Sequence, residues 1–499
     1  MRIIKEHDLI VSIAEAMQFI SYFHPTDFIL AMKHAWENER SPTAKAAIGQ
    51  ILQNSRLCAI GKRPICQDTG VANVNIKIGA QCFVELTHDL QTAVDEAVRI
   101  AYLKDTNPLR ASIVSDPLNK RVNTDDNTPA MLFVEIVSGD SVEVEVSAKG
   151  GGSENKTKFV VLNPSDSVSD WVVETVSQLG AGWCPPGMLG IGVGGSVDKA
   201  MVMAKQALNL PIDMTDLLKK GPKNKLEALR IEIYERVNQT GIGAQGLGGD
   251  ITVLDVKIKS FPTHAASLPI ALIPNCAATR HVKFKLDGTG PANFEPPDLS
   301  IWPTKLRTEV SSYTNSLKLD EIDEKILRKL KAGDRLLLTG KLYTGRDAAH
   351  KRILDILDKG ESLPLSFKGR AIYYVGPVDA VRKEVIGPAG PTTASRMDKF
   401  TEQILEKTGL KIMIGKGERS SATCDLIRQH KAVYMIAVGG AAFLISQAIK
   451  SARVVAFEDL GMEAIYELTV KDFPVTVAVD CIGNSIHKLG PELWRERMR

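Results

Sequence analysis

Apolar residues recur with helical spacing over the first sixty positions, as in IVSIAEAMQFI. VANVNIKIG (71–79) alternates apolar and polar, the period of a half-buried strand. ELTHDLQTAVDEAVRIAYLK returns to a helical period. MLFVEIV and VEVEVSAKG read as a pair of strands ahead of a glycine-rich loop. VSDWVVETVSQLG, SVDKAMVMAKQALNL and KNKLEALRIEIYERVNQTG read as helices, and ITVLDVKIKS and LPIALIP as strands. This first part, 1–290, is mixed α+β without tidy alternation. PANFEPPDLSIWP is proline-rich and aperiodic, so 291–330 reads as a linker and lead-in. From 331 to 499 strand and helix alternate (RLLLTG, AIYYVGPVDA, KIMIGKG, VYMIAVGG, RVVAFED, VTVAVD), the pattern of an α/β domain. The longest apolar stretch, 432–449, is divided by Gly439-Gly440. It reads as a buried strand, a turn and a helix rather than a membrane span.

A chain of 499 residues implies two or three domains. Hydrophobic content of 44% and charged content of 24% are those of a folded soluble protein. The net charge of +3 gives no argument for nucleic acid or a membrane surface. The charged start, MRIIKEHDLIVSIAEAM, lacks the apolar core and cleavage site of a signal peptide.

The seven cysteines include no CxxC pair and no framework spacing. Reduced thiols fit the cytoplasm. Cys58, Cys82, Cys424 and Cys481 lie beside apolar runs and read as structural. Cys66 (PICQDTG), Cys184 (GWCPPGM) and Cys276 (PNCAATR) instead sit at bends rich in proline, glycine and small polar residues. Three such bends without a fourth point to an iron–sulfur cluster with one iron open, a Lewis acid rather than an electron relay.

Two matches to G-x-G-x-x-G, GIGVGG and GIGAQG, follow no convincing strand in a βαβ unit and read as close packing and a turn. KGGGSENK (149–156) could cradle an anion with its backbone amides. Polar residues also gather at other bends: Gln67, Asp68 and Thr69; Arg110; His264; Arg346; Thr392, Thr393 and Arg396; Lys416 and Arg419. Several cations with one carboxylate suit a small dicarboxylic acid, because arginine grips a carboxylate through paired hydrogen bonds.

The chain resembles the class I, iron–sulfur-dependent fumarate hydratases of the fused, single-chain kind, from about residue 40 to 499. The resemblance rests on GKRPICQDTG, KGGGSENK, GAGWCPPGMLGIGVGG, GIGAQGLGG, PTHAASLPIAL, PNCAATRH, LTGKLYTGRDAAHKR, GPVDAVRKEVIGPAGPTTASRMD, MIGKGERS and EDLGMEAIYEL, in that order. It implies a [4Fe–4S] cluster on Cys66, Cys184 and Cys276, and reversible addition of water to fumarate giving (S)-malate. It also implies a swivelling β/β/α C-terminal domain that closes over the cluster, and a homodimer. Gln67, Arg110, Gly150, Arg346, Arg396 and Lys416 would bind substrate. Side-chain pKa alone favours His264 as the base. The family pattern instead favours Thr392 as base with Asp68 as acid or activator, leaving His264 to orient substrate. Tartrate or mesaconate are alternative substrates within the family. A redox relay or nucleic-acid sensor is a poorer fit, since electron-transfer clusters generally have four cysteine ligands.

Overall fold

The alternation in VANVNIKIG becomes strand Val71–Gly79, which buries Ala72, Val74 and Ile76. The computed structural model describes residues 2–304, 313 and 315–498. Val71–Gly79 lies inside a four-stranded sheet ordered His281–Leu286, Val142–Lys149, Val71–Gly79, Met131–Val137. MLFVEIV and VEVEVSAKG are therefore both strands but not partners. Val71–Gly79 separates them, parallel to the first and antiparallel to the second. Helices Glu6–Tyr22 and Leu90–Tyr102 bury their apolar stripes on one face of this sheet.

A second sheet is ordered Lys158–Leu162, Leu268–Asn275, Gly187–Gly194, Val253–Phe261. GIGVGG falls in the third of these strands and has a packing role. A Cβ on Gly192 would lie 2.0 Å from the Ala200 carbonyl oxygen of helix Val197–Ala207. Strand Gly187–Gly194 begins just after Cys184, and the antiparallel Leu268–Asn275 ends just before Cys276. The pairing of Met188 with Asn275 delivers both cysteines to the same end of the sheet.

In the C-terminal half, strand Arg335–Thr344 pairs with both Ala371–Tyr373 and Ile465–Val479. Pairing continues through Ile412–Gly415 and Val433–Ile436 back to Ile465–Val479, so five strands close a ring. Asn315–Lys318 and Ile449–Ala456 flank it. Helices Asp347–Asp358, Asp398–Thr408 and Ser421–Gln429 connect the parallel strands. The apolar stretch 432–449 resolves into strand Val433–Ile436 and helix Ala442–Gln447. Among the described residues no helix is long and apolar enough to cross a membrane.

Much of the expected linker, 291–330, lies within the described residues, and its start is packed. Phe294 packs tilted against Phe19 and edge-on to Phe284, with ring centroids 5.5 and 5.4 Å away. Trp302 is 1% exposed and donates its indole N–H to the Ser55 hydroxyl at 3.1 Å. Residues 305–312 and 314 lie outside the described residues. One continuous apolar core runs from Phe28, Ile48 and Ile51 through Trp302 to Tyr373, Tyr434 and Ile445, so the two halves share buried surface.

The approach of the two cysteine-bearing strands depends on Gly187, where a Cβ would stand 1.9 Å from the Asn275 carbonyl oxygen. Gly187→Ala should cost about 2 kcal/mol or more, as overpacking does, read as a lower denaturation midpoint. Stability equal to wild type would contradict this packing.

Candidate active site

Three bends carry the three cysteines into one place. Cys66 lies between helix Pro42–Gly61 and strand Val71–Gly79, Cys184 ahead of strand Gly187–Gly194, and Cys276 beyond strand Leu268–Asn275. Direct bonds join the bends. The Ala277 amide donates to the Cys184 carbonyl at 3.2 Å. Arg280 Nη1 donates to the Asp68 carbonyl at 2.7 Å, linking the Cys276 bend to the Cys66 bend. From the C-terminal half, Lys416 Nζ reaches Cys184 Sγ at 3.0 Å. Its charge is felt at all three sulfurs.

Burial pushes the Cys184 thiol up to about 11 and raises that of Cys66 as well. Cys66 and Cys184 therefore favour the protonated thiol in the absence of metal. Burial opposes charge on Lys416 too, but the neighbouring sulfurs outweigh it and keep the ammonium protonated. A cation so placed offsets charge on sulfurs that become thiolates. The backbone also packs tightly at this point: a Cβ on Gly439 would lie 2.5 Å from Cys184 Sγ, so glycine is needed for the sulfur to fit. Among the described residues no three His, Cys, Asp or Glu side chains stand at the spacing of a single metal ion. Soft sulfur donors on three separate bends, with a cation and a bare glycine beside them, fit an iron–sulfur cluster, whose ligands sit on different irons.

Asp68 stands next to the sulfurs. KGGGSENK forms a short helix, Gly151–Glu154, not an open loop, and its first amide, Gly151 N–H, donates to Asp68 Oδ2 at 2.8 Å. Burial would raise the Asp68 carboxyl. The charges of Arg110, Arg280 and Lys416, with the Gly151 amide, prevail and hold it below the ordinary carboxylate range. Gly150 faces the same carboxylate, and a Cβ there would come within 3.1 Å of Asp68 Oδ2. Lys149 turns the other way, bonding the Ser153 hydroxyl at 2.6 Å and the Pro274 carbonyl at 2.8 Å.

The C-terminal half supplies the rest. Gln67 Nε2 donates to the Pro391 carbonyl at 3.2 Å, which sets Thr392 beside the Cys66 bend. Thr392 is buried, and its carbonyl accepts the Lys416 amide at 3.1 Å. Arg110 Nη1 donates to the Gly376 carbonyl at 2.7 Å. Arg346 packs against the same glycine, where an added Cβ would lie 2.6 Å from Nη1. Glu463 fixes Arg346, accepting from its Nη2 at 2.5 Å and from the Ala348 amide at 2.8 Å.

The fold thus gathers Cys66, Gln67, Asp68, Arg110, Gly150, Cys184, Cys276, Arg346, Thr392 and Lys416. It does not bring His264 to them. His264 occupies an exposed loop between strands Val253–Phe261 and Leu268–Asn275. That loop is at the opposite end of the sheet from Cys184, roughly 25 Å away along eight strand residues. Arg396 is exposed and ion-paired with Asp347, next to Arg346, so it stands at the rim. Arg419 is taken up by Asp398 and Thr401, a structural role. Arg280 and Glu463, which bond Asp68 and Arg346 here, are not among the residues that the sequence singles out. Both lie inside quoted motifs, PNCAATRH and EDLGMEAIYEL, but only their partners in space distinguish them from ordinary charges.

Residues 10–285 match the family described as Fumarate hydratase (Fumerase). Residues 288–490 match Fumarase C-terminus. The chain is 32% identical over 483 residues to the anaerobic class I fumarate hydratase of Escherichia coli, covering 93% of this chain and 87% of that one. It is 30% identical over 498 residues to fumarate hydratase 2 of Leishmania major, covering 95% and 85%. A putative L(+)-tartrate dehydratase subunit alpha of Methanocaldococcus jannaschii is 35% identical over 290 residues, covering 55% of this chain and 97% of that one. With both family matches placed end to end on the halves that build the site, the chain belongs to the class I fumarate hydratases, in their fused single-chain form.

Proposed function

We propose that this chain is a hydro-lyase that interconverts fumarate and (S)-malate at the site between its two halves. The observation that carries the reading is the gathering of three cysteine bends, one ionised carboxylate and several cations at one point. A [4Fe–4S] cluster held by Cys66, Cys184 and Cys276 supplies, when bound, an open iron that acts as a Lewis acid on substrate oxygen. The chain's own residues handle charge and protons. Arg110, Arg346 and Lys416 face the carboxylates and offset the negative charge that builds up as malate loses its carbon-bound proton. Gln67 and the Gly150 backbone orient the bound acid. Thr392 takes the carbon-bound proton and passes its hydroxyl proton to Asp68. Asp68 in turn protonates the departing hydroxyl, which leaves as water. Glu463 acts through Arg346, holding it in place.

Thr392→Ala and Asp68→Asn, each with undiminished iron content, should lower kcat about 10²–10⁴-fold, as loss of an acid or base group does. A variant that kept most of its activity would remove that residue from the proton path. The archaeal relative described as a tartrate dehydratase favours a second substrate. Comparing kcat/KM for fumarate, mesaconate and L-tartrate on the anaerobically reconstituted protein decides between them, with fumarate expected to lead by at least about tenfold. L-tartrate in the lead would overturn the assignment.

None of the seven cysteines is in a disulfide, which suits a reducing compartment such as the cytoplasm. The working form is a homodimer. Edge strand Met131–Val137 exposes Phe133, Val134 and, at 79%, Ile136, an unpaired apolar edge suited to a second copy. His264 could meet substrate only from such a second copy. Ile136→Lys should shift the protein from dimer to monomer in light scattering. A dimer of undiminished affinity would place the contact elsewhere.

A further inference from the structure

A primary carboxamide carries a donor and an acceptor on one rigid plane, so it can bind two backbones at once. Two buried carboxamides of the N-terminal half do this across the boundary. Asn54, in helix Pro42–Gly61, is 0% exposed. Its Nδ2 donates to the carbonyl of Ile65, the residue before Cys66, at 3.0 Å. Its Oδ1 accepts the Phe443 and Leu444 amides, both at 2.9 Å. Gln245, in GIGAQG, is 3% exposed. Its Nε2 donates to the carbonyl of Pro185, the residue after Cys184, at 2.9 Å, and its Oε1 accepts the Gly439 amide at 2.8 Å.

Both side chains end on one segment, 439–444. That segment also touches the third bend, since a Cβ on Gly440 would lie 3.3 Å from Ala277 Cβ. It is bonded in turn to the stretch that carries Thr392, through the Ala389 amide and the Ala442 carbonyl at 3.0 Å. A single turn of the C-terminal half thus abuts all three cysteine bends and is secured to two of them by amide side chains.

We propose that Asn54 and Gln245 are positioning residues that latch the 439–444 turn to the cysteine bends. They make closure of the C-terminal half and the set of the cluster ligands one cooperative state. Neither touches the reacting atoms. The assignment rests on the cluster reading for its effect on iron, and on hydrogen bonds alone for its effect on the turn.

Asn54→Leu and Gln245→Met remove both ends of each latch. Asn54→Asp and Gln245→Glu, as carboxylates, keep the acceptor for the turn but lose the side-chain donor to the bend; at 245 the backbone amide still donates to the Pro185 carbonyl at 2.8 Å. Hydrogen exchange read on the iron-free protein tests the turn without any metal. In the apolar variants, exchange at 439–444 should rise about tenfold or more, with strand Ile465–Val479 unchanged. In the acidic variants the turn should keep its protection, while reconstituted protein loses iron in air several-fold faster than wild type. In the apolar variants KM for fumarate should rise by more than kcat falls. Unchanged exchange at 439–444 in the apolar variants would overturn the latch. Wild-type iron retention in the acidic variants would overturn the coupling to the bends. Failure of wild-type protein to take up iron would instead count against the cluster, while the exchange data would still decide the latch.

Discussion

The Lys416 ammonium meets the Cys184 sulfur across the boundary between the two halves. Three thiols in one enclosure cannot all ionise cheaply. Burial disfavours the thiolates of Cys66 and Cys184, and repulsion between neighbouring sulfurs adds to the cost. A fixed cation bonded to one of them and interacting with the other two eases both penalties. Arg280 of the N-terminal half also favours the Cys66 thiolate, but the cation bonded to Cys184 belongs to the C-terminal half. The same lysine's amide donates to the Thr392 carbonyl, so the compensating charge and the Thr392 hydroxyl are placed by one backbone contact.

The work is divided accordingly. The N-terminal half supplies soft sulfur and a carboxylate held ionised by neighbouring cations; the C-terminal half supplies a hydroxyl, a lysine and Arg346. Neither is complete alone. The boundary is built to match, with Arg63, 1% exposed, bonded to Glu384, Asn107 and the Asp379 carbonyl. A buried guanidinium is tolerated only with such full pairing. It therefore favours one docked arrangement over looser ones.

Local chemistry made part of this legible in the chain. Cys66, Cys184 and Cys276 stood out because proline and glycine surround them where apolar residues surround the others. VANVNIKIG and the strand–turn–helix at 432–449 could be read from period and glycine placement. Long-range pairing could not. Nothing in MLFVEIV and VEVEVSAKG says that a third strand separates them. The pKa argument for His264 is sound for an isolated imidazole, but it cannot register that two strands carry the residue to the far end of their sheet. Arg396 lies near Thr392 in sequence yet turns outward to Asp347. Arg280 and Glu463 matter through partners 212 and 117 residues away.

On the proposed reading, three cysteines and no fourth hold the cluster. Changing Cys58, Cys82, Cys424 and Cys481 together to alanine leaves only those three. After anaerobic reconstitution, iron and sulfide are counted on the same sample that is assayed for fumarate hydration. About four irons and four sulfides per chain with wild-type activity is the predicted result. Loss of iron from the folded protein would mean that one of the four replaced cysteines is a ligand and that no iron is left open for substrate.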